Sequence, residues 1–423
     1  MTDILNGSSS WLVYRDRLLF WLNTALVGWF FVALSALSLN PATSGLLLLA
    51  LLLVWPTAKY APHIWKDQRW WLLALLLYGV FMMTYYLIEG GGDLSRLDRP
   101  ARFMAMAWVC VYLLRFGFCK QYLWLAVATG TLIGAGHAFY QAFVIGVDRA
   151  AVGTHPITFG YLMAALSLLC FFYARYEQTH TVRLVLALCG LVGVLAAFST
   201  GTRGVLMIYA AVLGYLGVRW IGSGGVRWRW LVAAMITLVL VSLASYQWIP
   251  QAKRAIQQTY WEVEQIRSGY LDTSFGTRLQ MWSVAIYHGS NNPLTGVGHD
   301  LDHMRALSEP YVVEKGLNMQ ALQYHHFHSV YLEAFAKRGL PGVLVFLLLM
   351  YAAVKGMRSH YRNAVLIILA VFVVGGLTEA VMNSGRLLYL LIVGVTVFRC
   401  LDHFEMQEKQ QSSDAVDVRV DHA

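Results

Sequence analysis

The stretch QYHHFHSVYLEAFAKRGLPG, residues 323–342, sets His325, His326 and His328 at the threshold of a long apolar run. An imidazole titrates near neutrality, so a neutral histidine placed there can take a proton from a substrate hydroxyl. His325 and His328 are three apart and share a helix face if the helix reaches back that far, while His326 points elsewhere. A metal reading competes: His325 and His328 can join His299 and His303 of GHDLDHM, an i and i+4 pair with carboxylates between them, as a zinc site. Against it, there is no HExxH and no glutamate placed as such a site requires. The blander reading, rings bonded to carbonyls or lipid headgroups at a membrane interface, is the commonest fate of such residues.

Arginines supply the other half of the chemistry. Arg203, in FSTGTRGVLM, is flanked by apolar helix on both sides, where an ionised guanidinium is costly unless it reaches the interface or a partner. Functional charge and plain snorkelling at a helix end account for it equally well. Arg278, in TSFGTRLQMW, opens a helix, and alone it reads as a solvated surface charge. Arg149 and His155, in DRAAVGTHPITFG, precede Pro156, which suits the first turn of a helix. Capping and interface anchoring explain both as well as substrate contact does.

The elements that must position these groups are membrane helices. The chain of 423 residues is 58% hydrophobic and only 13% charged, with mean hydropathy +0.54, too apolar for a soluble globule of this length. About twelve segments approach the roughly 20 apolar residues that a span needs, so the expected fold is all-α, a polytopic integral membrane protein. Two expected spans lie near residues 42–57 and 70–89, another near 362–381. The first apolar run is expected to be retained rather than cleaved. None of the five cysteines forms a pair with disulfide spacing in an exposed loop. The net charge of +9 would suggest nucleic acid in a soluble chain. Here it is read as topology signal, so no nucleic-acid partner is expected.

Lysines and arginines alternate between loops so that Arg15, Arg17, Lys59, Lys66, Arg69, Arg115, Lys120, Arg175, Arg183, Lys355, Arg358 and Arg399 fall on one side. By the positive-inside rule that side is cytoplasmic and holds both termini. The expected organisation is spans one to nine in residues 1–249, a large periplasmic loop in 250–339, the last three spans in 340–400 and a disordered tail in 401–423. Within the loop, Ile256, Tyr260, Val263, Ile266 and Tyr270 recur at helical spacing among charged and amide residues, which predicts an amphipathic helix on the membrane surface. GLPG is expected to break a further helix before the next span.

This alternation brings Arg149, Arg203, Arg278 and the histidines to one face. Guanidiniums beside one imidazole, open to both bilayer and solvent, suit a substrate with a phosphate group and a lipid tail. A flippase or other transporter for lipid-linked glycans would also need many spans and basic residues. Transporters, however, commonly show repeated halves and charges near the midplane, and no internal repeat is present.

The chain resembles the O-antigen ligase and polymerase superfamily of bacterial envelope glycosyltransferases. The likeness rests on GTHPITFG, on STGTRG between two spans, on TRLQMW followed by NPLTGVG, and on HSVYLEAFAKRGLPG with its His-Ser, Leu and Gly-x-x-Gly, all in order along nearly the whole chain. The resemblance implies an inner-membrane enzyme, with its active site facing the periplasm among membrane lipids. It further implies transfer of a glycan from undecaprenyl diphosphate to an acceptor hydroxyl, inverting and without a metal or other cofactor. Carried over by position, His328 is the general base, and Arg203 and Arg278 hold the diphosphate. Arg149, His155, His325 and His326 are candidate substrate contacts. The short tail argues against a protein-modifying oligosaccharyltransferase, and the His-Ser, Gly-x-x-Gly context leans to a ligase using lipid A core as acceptor. A polymerase extending the glycan on its carrier is the alternative.

Overall fold

Backbone amides and carbonyls in hydrocarbon must be bonded within the segment, so the apolar runs of this chain fold as helices. The structure, a computed structural model, describes residues 10–36, 41–89, 97–221, 228–319 and 326–420. The first nine helices are α1 (Ser10–Leu34), α2 (Pro41–Leu52), α3 (Val54–Ile88), α4 (Asp98–Phe116), α5 (Leu123–Phe139), α6 (Pro156–Tyr176), α7 (His180–Ser199), α8 (Gly204–Ile221) and α9 (Trp228–Trp248). The loop region adds α10 (Pro250–Arg267), α11 (Ser274–Asn291) and α12 (Leu301–Glu314). Then follow α13 (Val330–Val354), α14 (Tyr361–Val373), and α15 (Gly385–Tyr389), which passes through a π-turn into α16 (Val395–Val420). Among the described residues seven helices are long and apolar enough to cross a membrane, accompanied by three shorter apolar helices, Pro41–Leu52, Gly204–Val218 and Tyr361–Leu377. The fold is that of an all-α polytopic membrane protein.

Two expectations about individual segments need correction. The break anticipated between residues 57 and 70 does not occur: α2 meets α3 at Leu53, and α3 continues unbroken from Val54 to Ile88. Its basic residues are accommodated along the helix surface, Lys59 over the Trp55 ring at 4.9 Å and Arg69 over Trp70 at 5.6 Å. The tail expected to be disordered continues α16 as far as Val420. Its first turns are anchored: Asp402 accepts the backbone N–H groups of Arg358 and Ser359 at 3.0 and 2.7 Å, Lys409 pairs with Glu405 one turn away, and Lys120 pairs with Glu408.

At the same end of the bundle Arg399 is buried. Its guanidinium donates to the carbonyls of Ala352, Ala353 and Lys355 at 3.0–3.1 Å and to Gln68 Oε1 at 2.9 Å. A basic residue that charge counting assigns to topology therefore serves to satisfy the orphan carbonyls where α13 ends.

The loop helices build a small core of their own, in which Met281, Val284 and Ala285 of α11 meet Val297, Met304, Val312, Phe327 and Ala336. This core is fastened to α13 where that helix is broken. Gly339 has φ 62°, and Pro341 has no N–H to return to the preceding turn. The carbonyls of Ala336 and Lys337 accept instead from Val297 and Gly298, at 2.9 and 3.1 Å, while Leu340 donates to Pro293 O at 2.7 Å. The break expected at GLPG is thus the joint between loop and span. It requires glycine, because a Cβ on Gly339 would lie 2.4 Å from Pro293 O.

Candidate active site

A cavity of about 620 Å³ opens where the N-termini of α6 and α8 and the C-terminus of α7 meet α10 and α11 of the loop. Arg149, Arg203, Arg254 and Arg278 all line it, against the carboxylates of Asp148 and Glu262. The site therefore carries an excess of positive charge. Burial and the nearby charges of Arg278 and Arg203 all push the Arg149 pKa down. A polyanion placed there would relieve that mutual repulsion.

Each guanidinium is held differently. Arg149 donates to Thr200 O at 3.0 Å and Thr202 Oγ1 at 3.3 Å, tying the segment before α6 to the turn between α7 and α8. Arg203 forms a fork with the buried Glu262, at 2.6 and 3.2 Å. Arg254 pairs with Asp148. Among the described residues Arg278 has neither a hydrogen bond nor an ion pair. On the amphipathic helix α10 the apolar Ile256 and Tyr260 are exposed while Gln251 and Glu262 are buried, and Val263 borders the cavity.

The histidine turn adjoins this cavity. Trp282, part of the cavity wall, donates from Nε1 to Phe327 O at 3.0 Å. The Phe327 N–H donates to Glu333 at 2.8 Å, and Glu333 pairs with Lys337 one turn further at 2.5 Å. Held on both sides, His328 takes φ 48°, the one positive φ at a non-glycine among the described residues. Such conformations cost energy and persist where surrounding contacts over-determine them, often at functional sites.

The conformation brings the ring to Glu379, whose carboxylate lies 3.1 Å from His328 Nδ1. Glu379 follows Thr378, another cavity residue, and Tyr161 of α6 bonds the same turn through Gly375 O at 3.3 Å and Thr378 Oγ1 at 3.2 Å. Burial alone would raise the Glu379 pKa, but the hydrogen bond and charge of His328, with His326 and Arg278, outweigh it and hold the carboxyl below its ordinary range. A dissociated carboxylate only accepts, so Nδ1 of His328 carries the hydrogen and the neutral ring keeps its lone pair on Nε2.

His326 stacks edge-on against His328, ring centres 4.2 Å apart, and its Nε2 lies 3.7 Å from Glu379. Burial, reinforced by His328, lowers its pKa and keeps it neutral at neutral pH. His155 caps α6, with Nδ1 accepting from Ile157 N at 3.4 Å, and burial likewise lowers its pKa. His325 lies outside the described residues. The zinc grouping drawn from the sequence is not assembled as written: His299 Nε2 accepts from Arg338 Nη1 at 3.0 Å, which occupies the lone pair a metal would need. The described residues do bring together His326, His328 and Glu379.

Three site residues escaped the sequence reading, namely Glu379, Glu262 and Arg254. Glu379 fell at the end of an expected span, where an ionisable side chain is itself a functional signal. Glu262 and Arg254 sit on α10, where their charges looked like an ordinary solvated face.

Residues 184–347 match the O-antigen ligase family model. The matched segment contains Arg203, Arg278 and His328 and runs from α7 into α13. The likeness to the O-antigen ligase and polymerase superfamily is borne out, and the chain is similar to membrane glycosyltransferase-like enzymes of lipopolysaccharide assembly. It is also 22% identical over 368 residues to an uncharacterized protein of Haemophilus influenzae, covering 82% of this chain and 88% of that one.

Proposed function

We propose that this protein is an O-antigen ligase. It transfers a glycan from undecaprenyl diphosphate to a hydroxyl of the lipid A core, at the periplasmic face of the inner membrane, with both termini in the cytoplasm. The observation that carries the reading is a histidine held by a carboxylate beside a cavity lined by four guanidiniums.

In this scheme the acceptor oxygen attacks the anomeric carbon from the side opposite the diphosphate, giving inversion. Its proton passes to Nε2 of His328, while Glu379 stabilises the imidazolium through Nδ1. The bond to the diphosphate oxygen breaks, and the leaving charge is taken up by Arg278, Arg203 and Arg149. Arg278 is the strongest candidate for first contact, since no carboxylate competes for it among the described residues. His155 and His326, both kept neutral, can bond sugar hydroxyls without adding charge. No step calls for a metal.

The deciding experiment gives purified protein the lipid-linked glycan and lipid A core, separately and together. A mass gain on lipid A core only when both are present supports a ligase. Longer lipid-linked glycan from donor alone identifies a polymerase, and movement of glycan across proteoliposomes without covalent transfer identifies a transporter.

A further inference from the structure

We propose that His326, His328 and Glu379 form a binding site for a late divalent transition metal, of which Zn²⁺ is the type, and that its occupation silences the base. One ligand atom from each residue lies within 4.8 Å of the other two. The pairwise gaps that can be read directly are short: 3.1 Å from His328 Nδ1 and 3.7 Å from His326 Nε2, each to a different oxygen of Glu379. Two imidazoles and one carboxylate are a set that zinc accepts with a fourth position left for water. The group is reachable, with side-chain exposures of 33% for His326, 17% for His328 and 13% for Glu379.

The class of ion follows from the surroundings. Arg278 and Arg149 both act on Glu379, so a cation held by charge alone is disfavoured there. A metal with real affinity for imidazole nitrogen overcomes this, whereas Mg²⁺ and Ca²⁺, which prefer oxygen, do not. The consequence follows from the tautomer. In the metal-free site Glu379 keeps hydrogen on Nδ1 and the lone pair on Nε2. A metal on Nδ1 of the neutral ring displaces that hydrogen and leaves the ring's proton on Nε2, where a base needs its lone pair. The inhibitory part rests on the proposed function, whereas metal binding does not.

The test titrates full-length protein in detergent with Co²⁺, following its visible ligand-field absorption, and then displaces it with Zn²⁺. One equivalent is expected to bind, Mg²⁺ should not compete, and His326→Gln should weaken binding by about tenfold or more. Arg203→Lys, which impairs the diphosphate clamp, should bind Co²⁺ as the wild type does, so the site can be scored even where no transfer is seen. In active protein one bound Zn²⁺ should suppress transfer, with recovery on adding EDTA. Absence of specific Co²⁺ binding, or binding unchanged in His326→Gln, overturns the site. Binding of Zn²⁺ with transfer undiminished overturns the silencing.

Discussion

Glu379 reaches back to His328 across 51 residues of chain and meets its Nδ1 at 3.1 Å, fixing which nitrogen of the ring can take a proton. Glu379→Gln keeps the shape but removes the charge that offsets a forming imidazolium. Transfer should fall by roughly 10²-fold, within the range general-base assistance supplies, while donor binding is largely retained. A rate measured under saturating donor checks this.

The same contact sets a pH expectation. A carboxyl held below its ordinary value is charged above that lowered value and loses its charge only as pH falls through it. Between pH 7 and 5, therefore, Glu379 stays dissociated, and its protonation should not limit transfer in that interval. A pH–rate profile in which Glu379→Gln removes an ionisation seen between pH 5 and 7 in the wild type would count against the pairing.

Arg203 presents a two-pronged fork, and lysine restores only the charge. Arg203→Lys should lower transfer by roughly 10²-fold, the size of effect found when one stabilising donor is removed from a transition state. Steady-state kinetics with lipid-linked donor would show it, and near-normal rates would remove Arg203 from the diphosphate clamp.

The joint at Gly339 should be intolerant of a side chain. Gly339→Ala places a Cβ against Pro293 O in a backbone conformation that L-residues avoid, a cost of about 1–3 kcal/mol. Thermal unfolding in detergent should shift downward accordingly.

His288 makes the loop acid-sensitive. It is buried in α11, bonds Ser308 Oγ at 2.6 Å, and burial, helped by His303, lowers its pKa from 6.5 to about 4. The unfolded chain binds the proton first as pH falls, so stability is full above pH 6.5 and is lost progressively down to about 4. The slope is about 1.4 kcal/mol per pH unit at most. Melting curves at pH 7 and 5 should separate in the wild type and converge in His288→Gln.

Much of this was legible in the sequence because apolar runs of spanning length fold alike in any membrane protein. Loop alternation then brought Arg149, Arg203, Arg278 and His328 to one end. The GLPG break was readable too, since a glycine followed by proline cannot continue a helix's bonds. What escaped depends on contacts between distant segments. Arg399 counts as a loop charge until α13 is seen to end against it, and Glu262 looks solvated until Arg203 is beside it. Glu379 carried a local signal, a carboxylate among apolar residues, but its partner lies across the fold.

The most direct test replaces His328 with Ala and measures glycan transfer to lipid A core by mass in purified, correctly inserted protein that still binds the lipid-linked donor. If His328 is the base, transfer falls by roughly 10²-fold or more while donor binding is kept. Transfer at the wild-type rate in that variant would contradict the assignment of His328 and the function built on it.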